Sequence, residues 1–320
     1  MQVMQTQKKY ICHLHDCHEW LCRKGYDMQK ATPEIDKLYQ DVLAYRESKS
    51  FAEFLSFIKR FRRLAPYNAM LLHIQKPGSV YVATAAEWRD RFDRSIKPGV
   101  FPLLILKPFG PVSFVYEYHD TEGKPLPDEL INPFKIKQEL PVSKLDRFIR
   151  NLNAEGVYVM KVNFGTSVGG CLRWDDEQTI LSVPSKQKIE QVISHHSMFY
   201  NENLSTVENF ATLLHEAGHL YCGHLYCESS TYKWLPRRYN IGMMSEQREF
   251  EAETVCWIIC ERMGIRNPSA SYLAGYLEKN NRIPNISIDA VLKAAGFIES
   301  LTEGIHPCRK ELIIKSEDRN

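Results

Sequence analysis

Residues 215 to 219 read His215-Glu216-Ala217-Gly218-His219, an HExxH pattern, and no other run in the chain is so well arranged for chemistry. Positions i and i+4 of a helix share a face, so both imidazoles can reach one metal ion. Glu216, one residue after the first histidine, is placed to act as general base on a water that the metal acidifies. Two nitrogen ligands, a carboxylate and one open position suit Zn2+, one ion per chain. The competing reading is a polar face on an ordinary amphipathic helix. Against it stands the strongly apolar approach Phe210-Ala211-Thr212-Leu213-Leu214, which makes the histidine-bearing helix a core element.

A hydrolytic site needs a third protein ligand. Cys222-Gly223-His224 does not fit the spacing of the third histidine ligand of a metzincin. Nine residues separate His224 from His215, about half a turn round a continuous helix, so His224 reads as a turn residue after Gly223. The acidic run Glu246-Gln247-Arg248-Glu249-Phe250-Glu251-Ala252-Glu253 is the better source. It opens a helix that continues through Val255, Cys256, Ile259 and Met263 and ends near Gly264, with Ala252, Val255, Cys256 and Ile259 as its buried face. Glu249 lies close to that face, whereas Glu251 and Glu253 fall roughly 100° to either side of Ala252. An acidic first turn could simply complement the helix dipole, but that does not explain an acid at the edge of an apolar stripe. Glu249 is therefore the first choice of ligand, ahead of Glu253 and Glu251. Glu253, one turn later, is placed to accept from a ligand imidazole and orient it.

These elements need a frame. The metal helix runs from about Val207 to Leu220, with Asn203, Ser205 and Thr206 as capping oxygens. Ahead of it, Ser143 to Asn153 reads as a helix and Val157 to Val162 and Thr179 to Val183 as strands, with Thr166 to Trp174 a weaker strand candidate. Ile288 to Leu301 closes the chain as a packing helix. In the first half, residues 33 to 74 read as helical, with one helix over Phe51 to Leu64 ending ahead of Pro66. Strands are expected at Tyr81 to Thr84, Phe101 to Leu106 and Val112 to Tyr118. Thr121 to Val142, rich in proline and charge, reads as a linker. The expected fold class is α+β: a small N-terminal helix-plus-sheet domain, then a zincin-like domain with a short sheet and the HExxH helix. The boundaries are 1–30 for a Cys/His-rich arm, 31–140 for the N-terminal domain and 141–320 for the metal-binding domain.

The segment from about Phe210 to Tyr276 resembles the ImmA/IrrE-type zinc metallopeptidases of the gluzincin group. His215-Glu216-Ala217-Gly218-His219, Glu249-Phe250-Glu251-Ala252-Glu253 and Ser271-Tyr272-Leu273-Ala274-Gly275-Tyr276 carry the likeness. In that group the third ligand is a Glu opening a Glu-x-x-x-Asp/Glu/Asn pattern on a second helix, and this implies Glu249. The chain as a whole, including Leu64-Ala65-Pro66-Tyr67-Asn68-Ala69-Met70, resembles two-domain antirestriction proteins of the ArdC type. That likeness implies an N-terminal domain that binds single-stranded DNA.

At 320 residues the chain is long enough for two domains with cores of their own. Hydrophobic content of 44%, charged content of 25% and a formal charge of +2 are ordinary and demand no polyanionic partner. No run approaches the roughly 18 apolar residues of a membrane span, and Met1 to Lys9 lacks a signal-peptide apolar region, so the expected location is cytoplasmic, without membrane contact. Nine cysteines without a secretion signal read as free thiols. Cys12, Cys17 and Cys22, interleaved with His13, His15 and His18, do not have zinc-finger spacing and read as part of an arm or short helix.

From Arg46 to Arg63, six basic residues stand against Glu47 and Glu53, with Phe54, Phe57, Phe61, Tyr67 and Trp88 in or near the segment. Basic residues beside aromatic rings can hold phosphates and stack bases, although aromatics at helical spacing are commonly core. Arg60, Arg62 and Arg63 are the electrostatic candidates. The expected function is hydrolysis of a peptide bond in a protein substrate, regulatory proteins included, by water that Glu216 activates at a zinc held by His215, His219 and Glu249. The rival expectation is a single-stranded-DNA-binding antirestriction protein of a mobile element, in which the zinc domain is structural or regulatory.

Overall fold

A computed structural model describes residues 47–107, 110–127, 130, 140–164, 169–185, 188–228, 230–239, 241–265, 267 and 269–314. The arm with its Cys12–Cys22 cluster, the expected helical residues 33–46 and half of the expected linker lie outside the described residues. The chain divides into two units, Met1–Pro133 and Phe134–Asn320. Both mix helices with small sheets, and the fold class is α+β.

In the first unit, α1 (Ser48–Ile58) buries Phe51, Phe54, Leu55 and Ile58 at helical spacing. The expected helix to Leu64 stops at Ile58. Arg60 and Phe61 instead donate to the carbonyls three residues back, Phe57 and Ile58, and this tighter turn brings the Phe61 ring to 4.8 Å from Phe57. Pro66 then opens α2 (Pro66–Gln75), where its missing N–H costs nothing. The strands are β1 (Val82–Ala83), β2 (Arg94–Ile96), β3 (Leu103–Lys107), β4 (Gly110–Glu117) and β5 (Thr121–Gly123), in one sheet of order β1-β4-β3 and a β2-β5 pair. Thr121–Gly123 therefore belongs to the fold and not to a linker. α3 (Ala85–Phe92) was not foreseen: it is short and charged, and a Thr84–Glu87 capping box together with the fully buried Trp88 holds it. The outer edge of β3 is covered by side-chain amides of α2. Asn68 exchanges hydrogen bonds with the Leu106 backbone and Gln75 with that of Leu104, so the edge is paired without another strand.

The second unit runs α4 (Val142–Ala154), β6 (Val157–Val162), β7 (Gly170–Pro184), β8 (Ile189–Asn201), α5 (Thr206–Tyr221), α6 (Ser245–Met263), α7 (Ser269–Lys279) and α8 (Ile288–Thr302). Its sheet has the order β6-β8-β7, with β8 central, parallel to β6 and antiparallel to β7. The two separate strand candidates before Pro184 are one strand with a register shift between Trp174 and Thr179. β8, the central strand, was missed. Its buried face alternates Val192, Ser194, His196 and Met198, so polar residues hide the apolar pattern. The Ser194 hydroxyl is satisfied by accepting from the Tyr158 and His196 backbone N–H groups, with the Gly156 and His196 carbonyls both in reach of its one hydrogen, which the sequence does not reveal. α5, α6 and α8 pack on one another, burying Leu213, Leu214 and Ala217, then Ala252, Val255 and Ile259, then Leu292, Ala295 and Ile298. Gly264, at φ 67°, ends α6 in the left-handed conformation that glycine adopts without cost. Among the described residues, no helix is long and apolar enough to cross a membrane.

Candidate metal centre

A capping box starts the helix that carries the histidines. The Ser205 hydroxyl accepts from the Glu208 backbone N–H, and the Glu208 carboxylate accepts from that of Ser205. Of the three residues expected near this end, Ser205 is the cap. α5 then runs unbroken through His215, Glu216 and His219 to Tyr221. Gly218 sets its distance from α6. A Cβ there would meet the Ala252 backbone at 3.1 and 3.2 Å, so the absent side chain is what lets the two helices approach. Gly218→Ala is expected to lower the melting temperature, because an overpacking cost of about 1–3 kcal/mol exceeds a helix-propensity gain of about 1 kcal/mol. A thermal melt of the variant beside the parent checks it.

Across this contact α6 presents Glu249 and, one turn on, Glu253. His215 Nε2 lies 3.1 Å from His219 Nε2, and Glu249 Oε2 lies 3.5 Å from each. Tetrahedral zinc with bonds of about 2.0–2.1 Å holds its donor atoms about 3.3 Å apart, so the three atoms fit one ion. Glu253 Oε1 stands 3.6 Å from the other ring nitrogen of His215, Nδ1. The structure thus brings together His215, His219, Glu249 and Glu253. Burial pushes the His215 imidazole down, but the carboxylates of Glu249, Glu253 and Glu216 outweigh it and raise its pKa to about 9. The His215 and His219 imidazoles beside it hold the Glu249 carboxyl far below the usual range.

The centre opens into a cleft of about 370 Å³, lined by Gly170, Cys171 and Leu172 of β7, His215, Glu216, His219, His224 and Leu225, and Ser245, Arg248 and Glu249 of α6. Among the described residues, the Glu216 carboxylate accepts no hydrogen bond. Burial raises its pKa, partly offset by His215 and His219. It is a half-buried carboxylate with an upward-tuned basicity beside the triad, which suits a general base. His195, His196, Tyr200 and Tyr221, the histidines and tyrosines of β8 and the end of α5, are not among the cleft residues. His196 is buried against Trp174 and Tyr232, and burial pushes it down to about 4.

Helical periodicity overlooked a second constellation behind the centre. Glu251, ranked last as a ligand, is fully buried. Its carboxylate accepts two bonds from Arg238, one at 2.7 Å, and one of 2.7 Å from the Ser287 backbone N–H, and it lies 2.8 Å from His224 Nε2. Burial pushes Glu251 up, but the Arg238 and His224 bonds outweigh it and keep the group below the usual carboxylate range. Arg238→Ala strips the cation from a buried carboxylate and is expected to cost about 3–5 kcal/mol, read as a lower urea midpoint of the second unit. The sequence signal for this cluster was faint: a glycine, a histidine and, fourteen residues on, an arginine in a loop.

In the first unit, Arg60 is half-buried and donates to the Ser79 carbonyl, Arg62 is half-buried and Arg63 is exposed. Arg60 thus has a structural partner, and only Arg63 presents an exposed charge among the three.

No family model matches the chain, and no curated protein matches it. Among solved structures, the metal-free crystal structure of the antirestriction ArdC protein from the R388 plasmid aligns with 73% of this chain and 81% of its own length, at 15% identity and a TM-score of 0.31.

Proposed function

We propose that the second unit is a zinc-dependent peptidase. The observation that carries this reading is the convergence of His215 Nε2, His219 Nε2 and Glu249 Oε2 at 3.1–3.5 Å, with Glu216 in the same cleft. His215, His219 and Glu249 would hold the ion, leaving a position open toward the cleft. When bound, zinc supplies Lewis acidity, which acidifies water and polarises a carbonyl. Glu216 accepts the proton of the attacking water as the new C–O bond forms. It then returns that proton to the amide nitrogen as the C–N bond breaks, so acid and amine leave with no net proton gained. Glu253, facing His215 Nδ1, holds that ring in orientation.

An extended peptide suits the cleft. β7 is an edge strand, and its residues Gly170 to Leu172 form one wall, so their backbone can pair with a substrate strand laid beside the metal ligands. Arg248, on the opposite element, adds a positive charge for a carboxylate of the substrate. The test is cleavage of a mixed peptide library, read by mass spectrometry, with the chain loaded with one equivalent of zinc. Cleavage that a chelator stops and zinc restores supports the reading. Failure to take up zinc, or cleavage indifferent to chelation, overturns it.

A further inference from the structure

The His224–Glu251–Arg238 constellation touches the metal centre at one point. His224 Nδ1 lies 3.0 Å from His219 Nδ1, while His219 Nε2 faces His215 and Glu249. Getting His224 there takes a specific turn. α5 ends at Tyr221 with Cys222 as its C-cap, and Gly223 follows at φ 78°, where a Cβ would meet the Pro236 carbonyl oxygen at 2.5 Å. The His224 backbone N–H then donates back to the His219 carbonyl at 3.0 Å, folding the ring under the helix end. Arg238 locks the same turn by donating to the Cys222 carbonyl as well as to Glu251.

The donor and acceptor inventory fixes the protons. Glu251, ionised against Arg238, can only accept, so His224 Nε2 must donate. The remaining nitrogen of a neutral His224 is then a bare acceptor. His219 Nδ1 must therefore carry the hydrogen between them, and its Nε2 is left with a lone pair. We propose that His224, anchored by Glu251 and Arg238, is a positioning residue that fixes His219 as the Nδ1–H tautomer and aims its Nε2 at the metal. This rests on the metal-centre reading above. Cys222, His224 and Glu251 also lie close enough to suggest a second ion site. The Arg238 guanidinium on Glu251 already supplies the cation there, and the geometry points instead to a relay of hydrogen bonds ending at His219.

Two variants separate positioning from packing. His224→Phe keeps the ring volume and removes both polar atoms; His224→Gln keeps a donor for Glu251 and an acceptor for His219. Zinc affinity by chelator competition is expected to fall about 10–100-fold in His224→Phe and to recover most of that in His224→Gln. Long-range 1H–15N spectra of the metal-free parent chain are expected to show the His219 hydrogen on Nδ1. A hydrogen on Nε2, or equal losses in the two variants, or unchanged affinity in His224→Phe, overturns the proposal. The tautomer is read without metal, so it still decides if His224→Phe does not fold. A parent chain that binds no zinc defeats the metal-centre reading itself, and the His219 spectrum distinguishes that failure from this one.

Discussion

Glu216→Gln is expected to leave one zinc per chain in place and to slow peptide hydrolysis by about 10²–10⁴-fold, the range that a positioned general base contributes. The substitution is nearly isosteric, and the parent carboxylate accepts no hydrogen bond among the described residues, so no network collapses when it becomes an amide. The amide cannot take a proton from water, and that function alone is lost. Elemental analysis and library cleavage on the same preparation provide the measurement. Turnover at the parent rate would show that another group removes the proton. Loss of zinc along with activity would mean that Glu216 acts on the metal and not on the water. The raised pKa of Glu216, caused chiefly by burial, adds a pH signature. In the metal-free chain the Glu216 carboxyl is expected to take up its proton above the ordinary carboxylate range, read by pH-dependent 13C shifts, and to do so at lower pH once zinc is added.

Removing the third ligand has the other large effect. Glu249→Ala is expected to abolish stoichiometric zinc binding after dialysis while the chain keeps its fold. Its side chain is 45% exposed, so its truncation opens no closed cavity. A variant that retains a full equivalent of zinc would transfer the third position to Glu253, which already faces His215. The same carboxylates govern the pH dependence. They raise the pKa of the metal-free His215 to about 9, so at neutral pH the ring holds a proton that zinc must displace. Affinity should therefore increase about tenfold per pH unit through the neutral range and level off above a pH of about 9. Chelator competition at several pH values checks the slope. In Glu249→Ala the imidazole loses its nearest anion, and its protonation should shift to lower pH.

The α6 helix shows how far a sequence argument reaches. Its buried face of Ala252, Val255, Cys256 and Ile259 and its stop at Gly264 follow from helical periodicity and one glycine, and they are seen in the fold. Periodicity also brought Glu249 toward the histidines, since a residue at the edge of an apolar stripe borders whatever that stripe packs against. The same reasoning failed at Glu251. A carboxylate so fully buried contradicts its residue type unless a cation meets it, and Arg238 arrives from a loop thirteen residues earlier. β8 failed for a related reason. Ser194 and His196 occupy the inward positions of a central strand, so the pattern of alternation reads as polar where the structure is buried.

By itself the sequence determined what local periodicity and spacing dictate: two histidines and a glutamate on one helical turn, the helix that presents Glu249, and the apolar faces that make both helices core elements. The distances were decided by the tertiary structure. Gly218 against Ala252 sets how closely α5 and α6 approach, and that approach brings the three donor atoms within reach of one ion. It also decided which carboxylate is exposed to the cleft and which is neutralised behind it. Those outcomes depend on partners far apart in the chain, held together by burial and charge, and no window of neighbouring residues contains them.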